Sequence, residues 1–109
     1  PTRRSSDLPV TDGGPVTVVD AEAFRNVELS TGMVPALVCG SVPATVADGT
    51  PVAIALNGRI ATVVRVVAPD GPGRRFCGLI RDDSLFRSGE NQLELFEETS
   101  GNALRRLRR

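Results

Sequence analysis

Apolar residues in this chain fall into short runs, many of them alternating, cut by Gly, Pro, Asn or Asp at intervals of roughly 8–15 residues, the signature of an all-β fold. The strongest signal is Val52–Leu56 followed by Asn57-Gly58 and a second apolar run from Arg59 to Val67. Asn-Gly between two such runs predicts a β-hairpin with a type I′ turn, because both central residues need positive φ. A two-residue loop pairs Leu56 with Arg59, Ala55 with Ile60 and Ile54 with Ala61. Val52, Ile54 and Leu56 share one face and Ala53 and Ala55 the other, so the hairpin is apolar on both sides. Such a hairpin belongs in the middle of a sheet, covered on both faces for part of its length.

The remaining elements are weaker. Val16–Val19 reads as a strand, Phe24–Leu29 as another with Val27 and Leu29 on one face, and Asp20–Ala23 as a turn or one helical turn. Ala36–Val42 reads as a strand with a bend or bulge at Gly40-Ser41. Pro69–Gly73 is a loop, and Arg75–Ile80 is a strand with Phe76, Gly78 and Ile80 on one face. Asp82-Asp83-Ser84 before Leu85-Phe86 predicts a short capped helical turn. Gln92–Glu97 alternates with Leu93 and Leu95 inward. Gly101-Asn102 turns the chain, and Ala103–Arg109 is a last strand or a disordered end. Residues 1–15 are polar and rich in Pro and Gly, and read as a flexible arm or linker before a single β-sandwich domain over 16–109. The expected fold is an immunoglobulin-like antiparallel β-sandwich of about seven strands. Its expected core is Val18, Val27, Leu29, Val38, Val52, Ile54, Leu56, Ile60, Val64, Phe76, Ile80, Leu85, Leu93 and Leu95.

Composition narrows the function. The chain has 109 residues and a formal net charge of zero, which argues against a nucleic-acid binder. All 13 basic residues are Arg, and four of them occupy the last five positions. No run is long enough for a membrane-spanning helix. No leader is expected, because the N-terminal basic residues precede no apolar stretch. The chain opens on Pro1 without Met, and a piece of a longer protein is expected. There is no His, Trp or Tyr, and the four aromatic residues are all Phe. Without exposed Trp or Tyr there is little to stack a sugar or a base.

Candidate chemistry is sparse. Ser84 and Cys77 have no His to activate them as nucleophiles, so no catalytic residue and no cofactor are assigned. Asp82 and Asp83 with Glu90 fit no calcium loop, and acids at a helix start explain the first two equally well. No metal site is assigned. Asp12-Gly13-Gly14 is too short for a phosphate loop. Cys39 and Cys77, 38 residues apart, are either a disulfide or two small buried thiols. Arg59 beside the turn and the pair Arg74-Arg75 are the ligand-binding candidates, each able to meet an anion or to be a solvated residue. The C-terminal arginines form a further basic patch.

Two motifs carry a resemblance. Leu56-Asn57-Gly58-Arg59 and Gly89-Glu90-Asn91, with Val34–Val38 and Gly40 ahead of them, make this region similar to the C-terminal β-sandwich module of large actinobacterial membrane-bound proteins of the sulfatase and phosphoglycerol transferase type, in the alkaline phosphatase superfamily. The resemblance covers about half the chain and rests on turn and packing residues. It implies an extracytoplasmic cell-envelope protein, tethered by a part not present here, whose catalytic domain and metal ligands lie upstream. It transfers no catalytic role to any residue. The functional expectation is a non-catalytic accessory or interaction domain, contacting a neighbouring domain or another protein. The alternative is a binding module for an anionic cell-envelope glycan or polymer, held by the arginine clusters.

Overall fold

The computed structural model describes residues 3–4, 10–44, 46–67, 73–99 and 103–108. The turns expected at Pro69–Pro72 and Gly101-Asn102, residues 1–2 and 5–9 of the arm, and Arg109 lie outside the described residues. The fold is all-β, with nine strands among the described residues: β1 (Arg3–Arg4), β2 (Val10–Pro15), β3 (Thr17–Val18), β4 (Leu37–Val42), β5 (Pro51–Leu56), β6 (Arg59–Arg65), β7 (Arg74–Leu79), β8 (Leu93–Thr99) and β9 (Ala103–Arg108). They form a six-stranded sheet in the order β1-β6-β5-β8-β9-β2 and a three-stranded sheet in the order β3-β4-β7. Valines, leucines and isoleucines from both sheets meet in one core, so the architecture is sandwich-like.

The β5–β6 hairpin behaves as its residues dictate. Asn57 and Gly58 take φ of 52° and 84°, as a type I′ turn requires. β5 lies between β6 and β8, with Val52–Leu56 all buried. Ala53 and Ala55 face away from the main core into a second cluster with Ile60, Phe96 and Leu104. The expected pairing of Leu56 with Arg59 and Ala55 with Ile60 holds, but Ile54 pairs with Thr62, not with Ala61. Ala61 is the extra residue of a β-bulge. That slip moves Thr62 and Val64 to the inner face, while Ile60 stays on the outer one.

Several expectations are corrected. Phe24–Leu29 is not a strand. Ala21–Phe24 and Leu29–Thr31 are short 3-10 helices, Val27 makes only a bridge to Gly89, and Leu29 is exposed. Val18, Val64 and Leu85 pack half-buried against the core, as expected. The arm expected over 1–15 contributes β1 at one edge and β2 at the other. β2 lies parallel to β9, with Val10 opposite Leu104, so the sandwich is not wholly antiparallel. Gly40 marks no bulge in β4, which runs in unbroken register with β7. Its role is clearance: a Cβ there would run into the Thr17 carbonyl and come within 2.8 Å of the Phe76 ring. Gly78 likewise faces Ile54, Thr62 and Val64 of the opposite sheet. Phe24 and Phe86, neither on a strand, stack at 6.3 Å to close one end of the core.

Candidate functional sites

The end of the sandwich at the β5–β6 turn gathers the two motifs singled out in the sequence. The Asn57 side-chain amide donates to the Leu85 carbonyl at 2.8 Å and to Asn91 Oδ1 at 2.9 Å, and its oxygen accepts from the Gln92 N–H at 2.9 Å. Asn91 is buried. Its Oδ1 also accepts from the Arg87 N–H at 2.7 Å, and its amide donates to the Arg87 and Gly89 carbonyls. The Asn91 N–H donates to the Phe24 carbonyl, and Val27 exchanges two backbone hydrogen bonds with Gly89. Three loops are thereby tied into one unit. A cleft of about 400 Å³ opens beside it, lined by Phe24, Arg25, Asn57, Arg87, Glu90 and Asn91. Both asparagines already spend their polar groups on one another and on backbone, so the cleft offers a ligand no convergent unpaired amide. Arg25 lies 3.7 Å from Glu22. The motifs that look distinctive in the sequence are thus accounted for by folding.

The arginine candidates do not converge. Arg59 is exposed at the turn. Arg74 and Arg75 sit at the far end of the sandwich, where Arg74 Nε donates to the Val46 carbonyl at 3.2 Å and the exposed Arg75 bridges Val67 through backbone. In the C-terminal cluster Arg105 faces Glu97 at 3.8 Å and Arg106 faces Glu94 at 3.3 Å, with the Arg106 guanidinium 5.6 Å from the Phe96 ring centre. Those two arginines are cross-strand partners of acids on β8. Among the described residues, no group of three His, Cys, Asp or Glu side chains is placed to hold a metal. Asp82 caps the 3-10 helix Asp83–Leu85, accepting from the Ser84 N–H at 3.1 Å. The Ser84 hydroxyl, then its N–H, lower the Asp82 pKa below the usual carboxylate value.

A different feature emerges on the outer face of the three-stranded sheet. Cys39 and Cys77 form a disulfide between directly opposed residues of β4 and β7. Val38, Gly40, Phe76 and Gly78 point into the core, so alternation turns both cysteines outward, with Cys77 exposed. Beside the bond, Leu37 and Leu79 form an opposed pair 62% and 44% exposed, and Val19, 59% exposed, donates its N–H to the Cys39 carbonyl. A groove of about 340 Å³ runs along this row, lined by Val19, Ala23, Phe24, Pro35, Leu37 and Cys39. Sequence reading missed the row because alternation leaves Leu37 and Leu79 off the core face, but nothing local to either strand names the other as its opposed partner.

No helix among the described residues is long and apolar enough to cross a membrane. Compared with known proteins, the chain matches no family model, no curated protein and no solved structure.

Proposed function

We propose that this chain is an immunoglobulin-like accessory domain of a larger extracytoplasmic, membrane-anchored protein, and that it works by docking on a neighbouring domain of the same polypeptide rather than by catalysis. The single observation carrying the reading is the apolar row Val19, Leu37 and Leu79 on the outer face of the three-stranded sheet. Three large aliphatic side chains side by side on one sheet face favour burial against another surface, at roughly 25 cal/mol per Å² of apolar area covered. The row is a hydrophobic centre of the kind that interfaces use, with Ser41 and the exposed Arg75 beyond it on the same face.

The immunoglobulin-like assignment rests on the strand order. β3-β4-β7 opposes β6-β5-β8-β9, which corresponds to strands A, B and E facing C′, C, F and G. Two antibody hallmarks are missing: there is no Trp, and the disulfide joins neighbours within one sheet instead of crossing between sheets. The extracytoplasmic assignment draws on the disulfide, a bond that persists in oxidising compartments, and on the resemblance to envelope sulfatase-like proteins.

The test is a photo-crosslinking amino acid at Leu79 in the protein expressed in its source cells. The expected product is an adduct to a segment of the same polypeptide outside this domain, lost when the probe is moved to the exposed Val63 on the outer face of the larger sheet. An unlinked product would overturn the docking, as would turnover of a phosphate or sulfate ester by the isolated chain with added divalent metal.

A further inference from the structure

The outer face of the three-stranded sheet carries one reactive group, the Cys39–Cys77 bond. We propose that this bond is a thiol–disulfide exchange site, opened by a dithiol reductant in the folded domain and closed again by the reverse reaction. Three observations carry the proposal.

The sulfurs are reachable. Both cysteines lie on the solvent side of their strands, and Cys77 is exposed on β7, an edge strand of its sheet. Beyond the Val67–Arg75 bridge, no described strand pairs with the outer edge of β7 at Cys77 or Leu79. Exposed disulfides of this kind exchange with external thiols, whereas buried ones resist.

The fold does not depend on the bond to hold the strands together. β4 and β7 stay in register over six residue pairs, from Leu37 opposite Leu79 to Val42 opposite Arg74. The ladder continues at Ile80, whose N–H donates to the Ala36 carbonyl at 2.7 Å. Val38, Phe76 and Ile80 anchor both strands in the core. When the bond opens, the two thiols therefore remain opposed, held by backbone pairing and not by each other.

The surroundings favour the incoming anion. Arg75 stands two residues from Cys77 on the same face, and a nearby guanidinium both attracts a thiolate and stabilises the one released. In the first step the reductant's thiolate attacks the exposed Cys77 Sγ, the S–S bond breaks, and Cys39 Sγ leaves as a thiolate and takes up a proton. In the second step the reductant's other thiolate attacks its own sulfur in the mixed disulfide, and the Cys77 thiolate leaves and is protonated. The domain gains two electrons and two protons, and the dithiol becomes a disulfide. A neighbour docked over Leu37 and Leu79 would shield the bond, so exchange belongs to the undocked domain and does not rest on the docking proposal.

The experiment treats the full chain with dithiothreitol at neutral pH, quenches with an alkylating agent and follows the mass gain with time, at guanidinium concentrations from zero to just below the unfolding transition. Exchange through the native state gives a rate first-order in dithiol and unchanged across that range. The reduced protein should keep its β-sheet circular dichroism and bind one equivalent of a trivalent arylarsenical across the paired thiols, with binding lost in Cys39→Ser. A rate that climbs with denaturant, a bond that resists reduction until the protein unfolds, or a reduced protein that loses its sheet signal would each overturn the proposal. None of these outcomes bears on the apolar row, whose test is the crosslink at Leu79.

Discussion

Asn57 carries two burdens: left-handed φ, and an amide whose donors and acceptor all bond to residues from Leu85 to Gln92. These can be separated by substitution. Asn57→Gly keeps the backbone conformation and loses only the amide, at a cost of ~1–3 kcal/mol for the part-buried partners left unpaired. Asn57→Ala adds the left-handed penalty and should be less stable than the Gly variant by a further ~1–2 kcal/mol in chemical denaturation. The turn was legible because Asn-Gly chemistry is local. The partnership with Asn91 was not, because nothing within a few residues of either asparagine names a partner 34 positions away. Asp82 was legible for the same reason as the turn: its cap is contained within residues 82 to 84. Its lowered pKa makes the cap a pH-dependent contribution with a definite sign. The unfolded carboxyl titrates at its ordinary value and the folded one below it. The cap therefore stabilises above the ordinary value, and the contribution is lost as pH falls through the folded value. Ser84→Ala should return the Asp82 pKa towards ordinary when followed by NMR titration of the carboxyl carbon.

Among the elements, β5, β7 and β8 follow closely from alternation and apolar content. β2 does not, since in Val-Thr-Asp-Gly-Gly-Pro the two strand formers, Val and Thr, are followed by four residues that strands disfavour. Its place beside β9 comes from parallel backbone pairing that composition does not encode. The bulge at Ala61 was equally hidden: periodicity assigns Ile60 and Val64 to one face, and a single inserted residue sends them to opposite sides of the sheet. The two core-facing glycines of the smaller sheet can be ranked. A methyl at Gly78 meets side-chain ends, Ile54 Cδ1 at 2.7 Å and Val64 Cγ1 at 3.0 Å, which can rotate away. A methyl at Gly40 meets the Thr17 carbonyl, which belongs to a paired backbone. Gly78→Ala should cost within the ~1–3 kcal/mol of ordinary overpacking. Gly40→Ala should cost more and weaken β3 pairing, seen as faster amide exchange at Val19, whose N–H bonds the Cys39 carbonyl on β4.

In the molecule as a whole, the sandwich architecture was expected from strand spacing, and so was a hairpin covered on both faces. The basic residues separate at this scale. Arg105 and Arg106 look like an anionic-ligand cluster in sequence, yet strand pairing sets them against Glu97 and Glu94, which the sequence holds some 8 to 12 residues away. Arg59 and the Arg74-Arg75 pair end at opposite ends of the sandwich. What remains as a candidate contact surface is apolar, on the smaller sheet, with a disulfide at its centre, and that combination suits a domain that leans on another. The most direct test is the size and location of the native protein, read by fractionating source cells and probing with an antibody to this domain. The expected result is a membrane-associated band much larger than the 11.5 kDa of this chain. A soluble band of this chain's own size would contradict the accessory-domain reading.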